Sequence, residues 1–242
     1  MNISVQLYTL RSLTESDFLG TCQRVADIGY KFVELAGFGG LAASEIKNSL
    51  RDFGLTVSGS HVGPDALDKV DAVIEEHKLI GCKHVIIPWF PDSMRVDAND
   101  WMRTTEQMQS AAMQFKANGM TLSFHNHAFD FQPMGGTNNW EYLFSNAPDL
   151  FAEPDTHWVH CAGYDSATVI RSLPGRTPCV HFKDSLADGE MTEVGDGILD
   201  WAEILAACDE TGVQFAVVEH DNPSDALESV RQSFEFLQKI VS

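Results

Sequence analysis

The sequence predicts a single (β/α)8 barrel, an α/β fold of one domain over residues 1–242. Eight short strand patterns alternate with helical patterns along the whole chain, close to the ~250 residues usual for such a barrel. No glycine-rich phosphate loop follows the first strand, where Tyr8-Thr-Leu-Arg11 stands instead, which argues against an open doubly wound sheet. Six of the eight strands end in a residue able to bind a metal or move a proton, as expected where the C-terminal ends of barrel strands build the site.

In order, residues 3–8 alternate apolar and polar side chains and read as strand one. A helix follows from about Glu15, with Phe18, Leu19, Cys22, Val25, Ala26 and Ile28 at helical spacing and Gly29 at its end. Residues 31–35 are strand two, 42–52 a helix, 55–61 strand three and 66–79 a helix. Residues 84–89, dense in β-branched side chains, are strand four. A long helix over 97–118 ends at Gly119, a natural C-terminal stop. Strand five is 121–127, and a loop with Pro133, Gly135 and Gly136 leads to a short helix near Trp140. Strand six is 150–155, followed by a short helix over 167–173.

Strand seven lies within 176–184. Pro178 can open it, and Cys179, Val180 and Phe182 supply a buried run. Alternation puts His181 and Lys183 on one face and Asp184 on the other. A helix over 200–210, strand eight over 212–219 and a final helix over 224–240 complete the chain, with Ser224 and Asp225 suited to the last N-terminus.

Acidic residues number 35 against 16 basic, a formal charge of −19. That field repels nucleic acid and anionic membranes and suits a cation or a small ligand. Hydrophobic residues at 44% are an ordinary globular share. The N-terminus enters a strand pattern at once, without signal-peptide features, and no run approaches the ~20 apolar residues of a membrane span. The five cysteines are scattered without CxxC spacing, so reduced thiols, a cytoplasmic location and no structural zinc are expected.

The strand ends carry Glu34, His61, His125 with His127, Asp155, His181 with Lys183, and Glu219 with Asp221. His125, Asp155, His181 and Glu219 come from four consecutive strands and are the candidate ligands of one divalent ion. Two imidazoles and two carboxylates suit Mn2+, Co2+, Fe2+ or Zn2+ better than Ca2+. The same residues also fit an ion-paired cluster without metal. The candidate catalytic residues are Glu219, Glu34, His61, His127 and Lys183: carboxylates as bases, histidines to carry protons to oxygen, and the lysine to balance negative charge. Trp89, Phe90, Trp158 and Phe38 could stack on a substrate ring or close the core, where they are expected, and Asp184 is expected in a structural role. Asp196, in Gly195-Asp-Gly197, is expected in an exposed turn. His77 and His84 are expected to be incidental, and Arg11 to meet substrate or a carboxylate.

The segments Gln6-Leu-Tyr-Thr-Leu-Arg11, Ser60-His61-Val62, His125-Asn-His127, Asp155 with Trp158-Val159 and Ala162-Gly163, His181-Phe-Lys-Asp184, Gly195-Asp-Gly197 and Glu219-His-Asp221 together resemble the sugar phosphate isomerase/epimerase family of xylose isomerase-like TIM barrels. Ketose 3-epimerases and inosose dehydratase are its relatives. The resemblance runs through the whole chain in order. It implies one Mn2+-like ion, with Mg2+ also in range, held by Asp155, His181 and Glu219, with His125 standing at the fourth ligand position. It further implies an enzyme of carbohydrate metabolism acting on a sugar, keto-sugar or cyclitol, and the absence of a phosphate-binding glycine loop points to an unphosphorylated one. The implied reaction is isomerisation or epimerisation: Glu219 removes a proton next to a carbonyl, giving a metal-bound enediolate.

Two departures from the epimerase branch stand out. His125 replaces a glutamate that is both ligand and base there, and the Asp-x-x-His pattern becomes Asp155-Thr-His-Trp158. They keep a lyase or dehydratase on the same site as the alternative. An abasic-site endonuclease of this fold would need a basic track that the chain lacks. A non-catalytic sugar-binding barrel is the remaining reading. The expected partner is the small-molecule substrate, with no nucleic acid and no membrane, and a homo-oligomer is compatible with the sequence.

Overall fold

Eight parallel strands frame the computed structural model, which describes residues 1–95 and 97–241. They are β1 (Asn2–Gln6), β2 (Phe32–Ala36), β3 (Thr56–His61), β4 (His84–Ile87), β5 (Thr121–His125), β6 (Phe151–Glu153), β7 (Cys179–Phe182) and β8 (Phe215–Val218). Hydrogen-bonded neighbours follow the order β6-β5-β4-β3-β2-β1-β8-β7, so the chain winds once round a barrel. The seam between β6 and β7 is nearly closed. Asp155 and His181 form a parallel bridge there, and the Ala152 and His181 amides donate to the carbonyls of Arg176 and Pro154 at 2.8 and 2.9 Å. The Arg176 guanidinium then donates to the carbonyls of Phe144, Ala147 and Leu150, tying the approach to β6 onto the start of β7.

The α-helices longer than the single turn Arg11–Thr14 are α1 (Phe18–Ile28), α2 (Ala43–Asp52), α3 (Val70–Ile80), α4 (Ala98–Ala117), α5 (Asn139–Asn146), α6 (Thr156–Cys161), α7 (Ser166–Arg171), α8 (Trp201–Thr211) and α9 (Ala226–Ile240). Aspartates 17, 97, 155, 165, 200 and 225 each accept from a first-turn amide. Part of the acidic excess therefore caps helices, where the dipole favours negative charge.

Alternation along the strands sorts two environments. Val33, Leu35, Val180, Phe182 and Val218 pack with Cys22, Ile46, Ile204 and Leu237 of the surrounding helices. Val85, Ile87, Leu122 and Phe124 do the same with Ile74, Met108, Phe115 and Leu143. Ser4, Gln6, Glu34, Ser58, Ser123, Glu153 and His181 are equally buried but polar. Ser4 and Ser58 share a 2.7 Å hydroxyl contact. Phe32 and Phe215 meet edge-on at 5.2 Å, and His84 lies against Phe215 with Nδ1 2.8 Å from Thr121 Oγ1. His84 is therefore packing at the strand starts.

The strands are shorter at their C-terminal ends than the sequence pattern suggests, because residues 7–8, 88–89, 126–127 and 154–155 leave the ladder to form the site. The helix expected from Glu15 begins at Phe18 behind the Asp17 cap, and residues 64–68 form a separate 3-10 turn before α3. Helix α6 is an element that periodicity does not announce: six residues rich in aromatic and β-branched side chains, started by the Asp155 cap. Phe90 is core as expected, but Trp89 is 45% exposed at the barrel mouth. No helix among the described residues is long and apolar enough to cross a membrane.

Candidate metal and active site

A cavity of about 670 Å3 opens at the C-terminal ends of the strands. His61, His77, His125, His127, Lys183, Glu219 and Asp221 line its floor and walls, with Tyr8, Arg11, Phe38 and Trp89 around the mouth. Arg11 donates to the Tyr8 carbonyl and to Asn222 Oδ1 at 2.9 Å, not to a carboxylate. Buried His77 bonds the Val73 carbonyl and Ser60 Oγ, a satisfied structural histidine at the cavity wall.

His125, Asp155, His181 and Glu219, the four candidate ligands, are brought together: one donor atom from each lies within 4.8 Å of the others. Strand and loop geometry fixes each. Asp155 Oδ1 accepts from the Trp158 amide at 2.9 Å, starting α6, while its amide donates to Asn126 Oδ1. Its other oxygen, Oδ2, turns into the cluster and has no hydrogen-bond partner among the described residues. It lies 3.7 Å from His125 Nε2 and 3.0 Å from Lys183 Nζ. His181 Nδ1 is 2.7 Å from Glu219 Oε2. Thr156 Oγ1 donates to the His181 and Lys183 carbonyls and accepts from the Lys183 amide, holding the end of β7 to α6.

Burial and opposing charges divide the titrating groups. Burial, then the positive charges of His181 and Lys183, drives His125 well below the usual imidazole range, so its ring is the neutral, ligating form. Burial lifts Asp155 to about 6 against Lys183 and His181. Burial also opposes charge on Glu219, but Lys183 and His181 outweigh it and hold the carboxyl well below its usual value. For Lys183 burial is likewise outweighed, by Asp155, Glu219 and Asp221, and the ammonium is held well above the usual lysine range. Burial and Lys183 bring His127 down to about 4.

Glu34 belongs to this end of the barrel but does not line the cavity. It is wholly buried, with Oε2 2.6 Å from His181 Nε2 and 3.1 Å from His61 Nε2. Asp184 is structural as expected. Its carboxylate accepts from the amides of Ser185, Gly195, Gly197 and Leu199 and from the Trp201 indole. That is why Gly195-Asp-Gly197 wraps tightly, leaving Asp196 exposed. His157 faces Ser185 Oγ at 2.6 Å, away from the four donors.

Glu153 lies outside the expected site residues. This wholly buried carboxylate places Oε2 2.8 Å from His61 Nε2, 3.2 Å from His181 Nε2 and 3.5 Å from His125 Nδ1. The signal was parity: Glu153 and Asp155 are two residues apart, so both face inward. Gln6 and Asp130 are also absent from the expected set. Gln6 donates to Glu34 at 2.8 Å, and Asp130 accepts the His127 amide at 2.7 Å.

The profile of the xylose isomerase-like TIM barrels matches residues 22–240. The chain belongs to that family. A search of curated proteins by sequence found no match. Among solved structures, this xylose isomerase-like barrel superposes on a sugar phosphate isomerase/epimerase from Parabacteroides distasonis with a TM-score of 0.86 at 21% identity, covering 99% of this chain and 98% of the other. A probable 3-DHS dehydratase from Bacillus anthracis gives 0.77 at 15% identity over 98% and 99%. A D-psicose 3-epimerase gives 0.75 at 14% identity over 100% and 99%. At these identities the likeness is one of fold.

Proposed function

We propose that this barrel is a divalent-metal-dependent isomerase or epimerase that removes a proton next to the carbonyl of a sugar or keto-sugar. The observation that carries the reading is the convergence of His125, Asp155, His181 and Glu219 beneath a cavity lined by Glu219, His61, His127 and Lys183. The residues fit an ion. Asp155 Oδ2 is buried with the Lys183 ammonium at 3.0 Å and no hydrogen bond among the described residues, His125 is held neutral, and N/O sets of this kind favour Mn2+-like ions. A bound divalent ion supplies Lewis-acid stabilisation of the negative charge that develops on oxygen.

The protein groups do the proton work. Glu219 contacts His181 and Lys183 through Oε2, which leaves Oε1 outside these contacts, and the side chain is 5% exposed at the cavity floor. Glu219 is the proposed base. His61 and His127, also at the cavity, are the proposed carriers of protons to and from substrate oxygen. Lys183 offsets enolate charge.

A second reading, elimination by a lyase or dehydratase, draws on the strand ends. The cavity carboxylates supplied by strand ends, Glu219 and Asp221, both follow β8, and the groups across from them on β3 and β5 are imidazoles. A symmetric exchange between two facing carboxylates has no second member there.

The test is solvent deuterium incorporation into keto-sugars by chelator-stripped and Mn2+-reloaded protein. Exchange next to the carbonyl should require the ion. Glu219→Gln should slow it by about 100-fold or more, and Lys183→Ala, which keeps the base, should slow it less. Chain that binds no metal and exchanges no proton overturns the proposal. Exchange accompanied by loss of a β-oxygen selects the lyase reading.

A further inference from the structure

We propose that Glu34 and Glu153 are positioning residues that keep the proton of His181 on Nε2, so that this imidazole offers Nδ1 to the ion. The inference rests on the metal reading above and assigns the two carboxylates beneath it.

Without an ion, burial opposes a second proton on His181 but the facing Glu153, Glu34 and Glu219 carboxylates outweigh it and favour that proton. An imidazole that binds metal keeps only one, and the ligating nitrogen must be the bare one. In metal sites the other nitrogen donates to a carboxylate or carbonyl, which fixes tautomer and ring orientation. His181 is arranged in this way. Its Nδ1 points to Glu219 Oε2, within the four-donor group, and its Nε2 points to Glu34 Oε2 at 2.6 Å and Glu153 Oε2 at 3.2 Å. His125 repeats the pattern more loosely, with Nε2 towards Asp155 and Nδ1 3.5 Å from Glu153.

Glu34 is itself held in place. Gln6 Nε2 donates to its Oε2. The β2–β3 register shifts between Val33 and Glu34, bringing Gly59 opposite Glu34. A Cβ at position 59 would lie 2.4 Å from Glu34 Oε1, so glycine there leaves the room the carboxylate occupies. A bulge is a usual device for re-aiming a side chain beside a site. Glu34 and Glu153 are wholly buried, and neither lines the cavity. Their reach is to the imidazoles, not to substrate.

The test measures metal affinity and tautomer rather than turnover. In Glu34→Gln and Glu153→Gln, Mn2+ affinity measured by chelator competition should fall about 10- to 100-fold relative to wild type. In the Zn2+-loaded wild-type protein with 15N-labelled histidine, NMR should place the His181 proton on Nε2; this needs no variant and stands even if one fails to fold. Undiminished affinity in both folded variants, or a proton on Nδ1, overturns the assignment while leaving the metal site intact. Two ions per chain in wild type, with one lost in Glu34→Gln, also overturns it, since the carboxylates are then ligands. Wild-type protein that binds no ion sinks this inference and the metal reading together.

Discussion

Lys183 Nζ lies 2.8 Å from Glu219 Oε2, at the centre of three carboxylates that also include Asp155 at 3.0 Å and Asp221 at 2.8 Å. The ammonium and a bound cation would therefore neutralise overlapping groups. Removing a partner from a buried ion pair costs about 3–5 kcal/mol because the remaining charge is left uncompensated. Lys183→Ala should lower the stability of chelator-stripped protein by about that amount. Added Mn2+ should then recover more stability in the variant than in wild type. Urea unfolding with and without Mn2+ checks this; equal metal-induced shifts would show that the lysine and the ion do not share a field.

Asp184 carries a second prediction, about folding rather than chemistry. All the donors that meet its carboxylate are N–H groups, four from backbone and one from Trp201. Asp184→Asn turns an amide NH2 towards at least one of them. A buried group left unsatisfied costs about 1–3 kcal/mol, more where charge was involved. Gly197→Ala should be comparably harmful, since its Cβ would stand 2.2 Å from Asp184 Oδ1. Both variants should show earlier urea midpoints, and a midpoint unchanged in Asp184→Asn would contradict the structural role.

Parity and periodicity made much of this legible. Barrel strands with apolar helix-facing residues and polar inward ones, such as Thr121-Leu-Ser-Phe-His125, announce themselves by alternation. The same rule separated His181 and Lys183 from Asp184. Depth was not legible. Glu34 and His61 look alike as strand ends, yet the bulge at Val33/Glu34 leaves Glu34 under the floor while His61 reaches the cavity. Glu153 was hidden because it precedes the end of its strand. Helix α6 depends on a single cap, Asp155, and has no periodic stripe to read. Trp89 looked like core because apolar residues flank it, but it follows Pro88 out of the sheet.

The thiols give a direct check on burial. Cys22, Cys82, Cys179 and Cys208 are buried and Cys161 is exposed. Burial pushes the Cys22, Cys82 and Cys208 thiols up to about 12, and Cys179 well above its usual value. Reaction requires the thiolate. A colorimetric thiol titration of native protein should therefore count one reactive group, rising to five in denaturant. More than one fast thiol in the native state would contradict the packing around β7 and the helices.

Asp130 makes stability depend on pH away from the four candidate ligands. Burial lifts its carboxyl to about 7, against the His127 amide and the Arg95 charge, which favour the ionised form. The folded chain therefore holds this proton more tightly than the unfolded one, whose aspartates titrate near ~4. Stability from this group is full below about pH 4, falls as pH rises towards 7, and is flat beyond. Asp130→Asn keeps an oxygen for the His127 amide but has no proton to lose. Its stability relative to wild type should thus improve between pH 5 and pH 8, measured as the difference in urea unfolding free energy. A difference constant across that range would mean that Asp130 is ionised in both states.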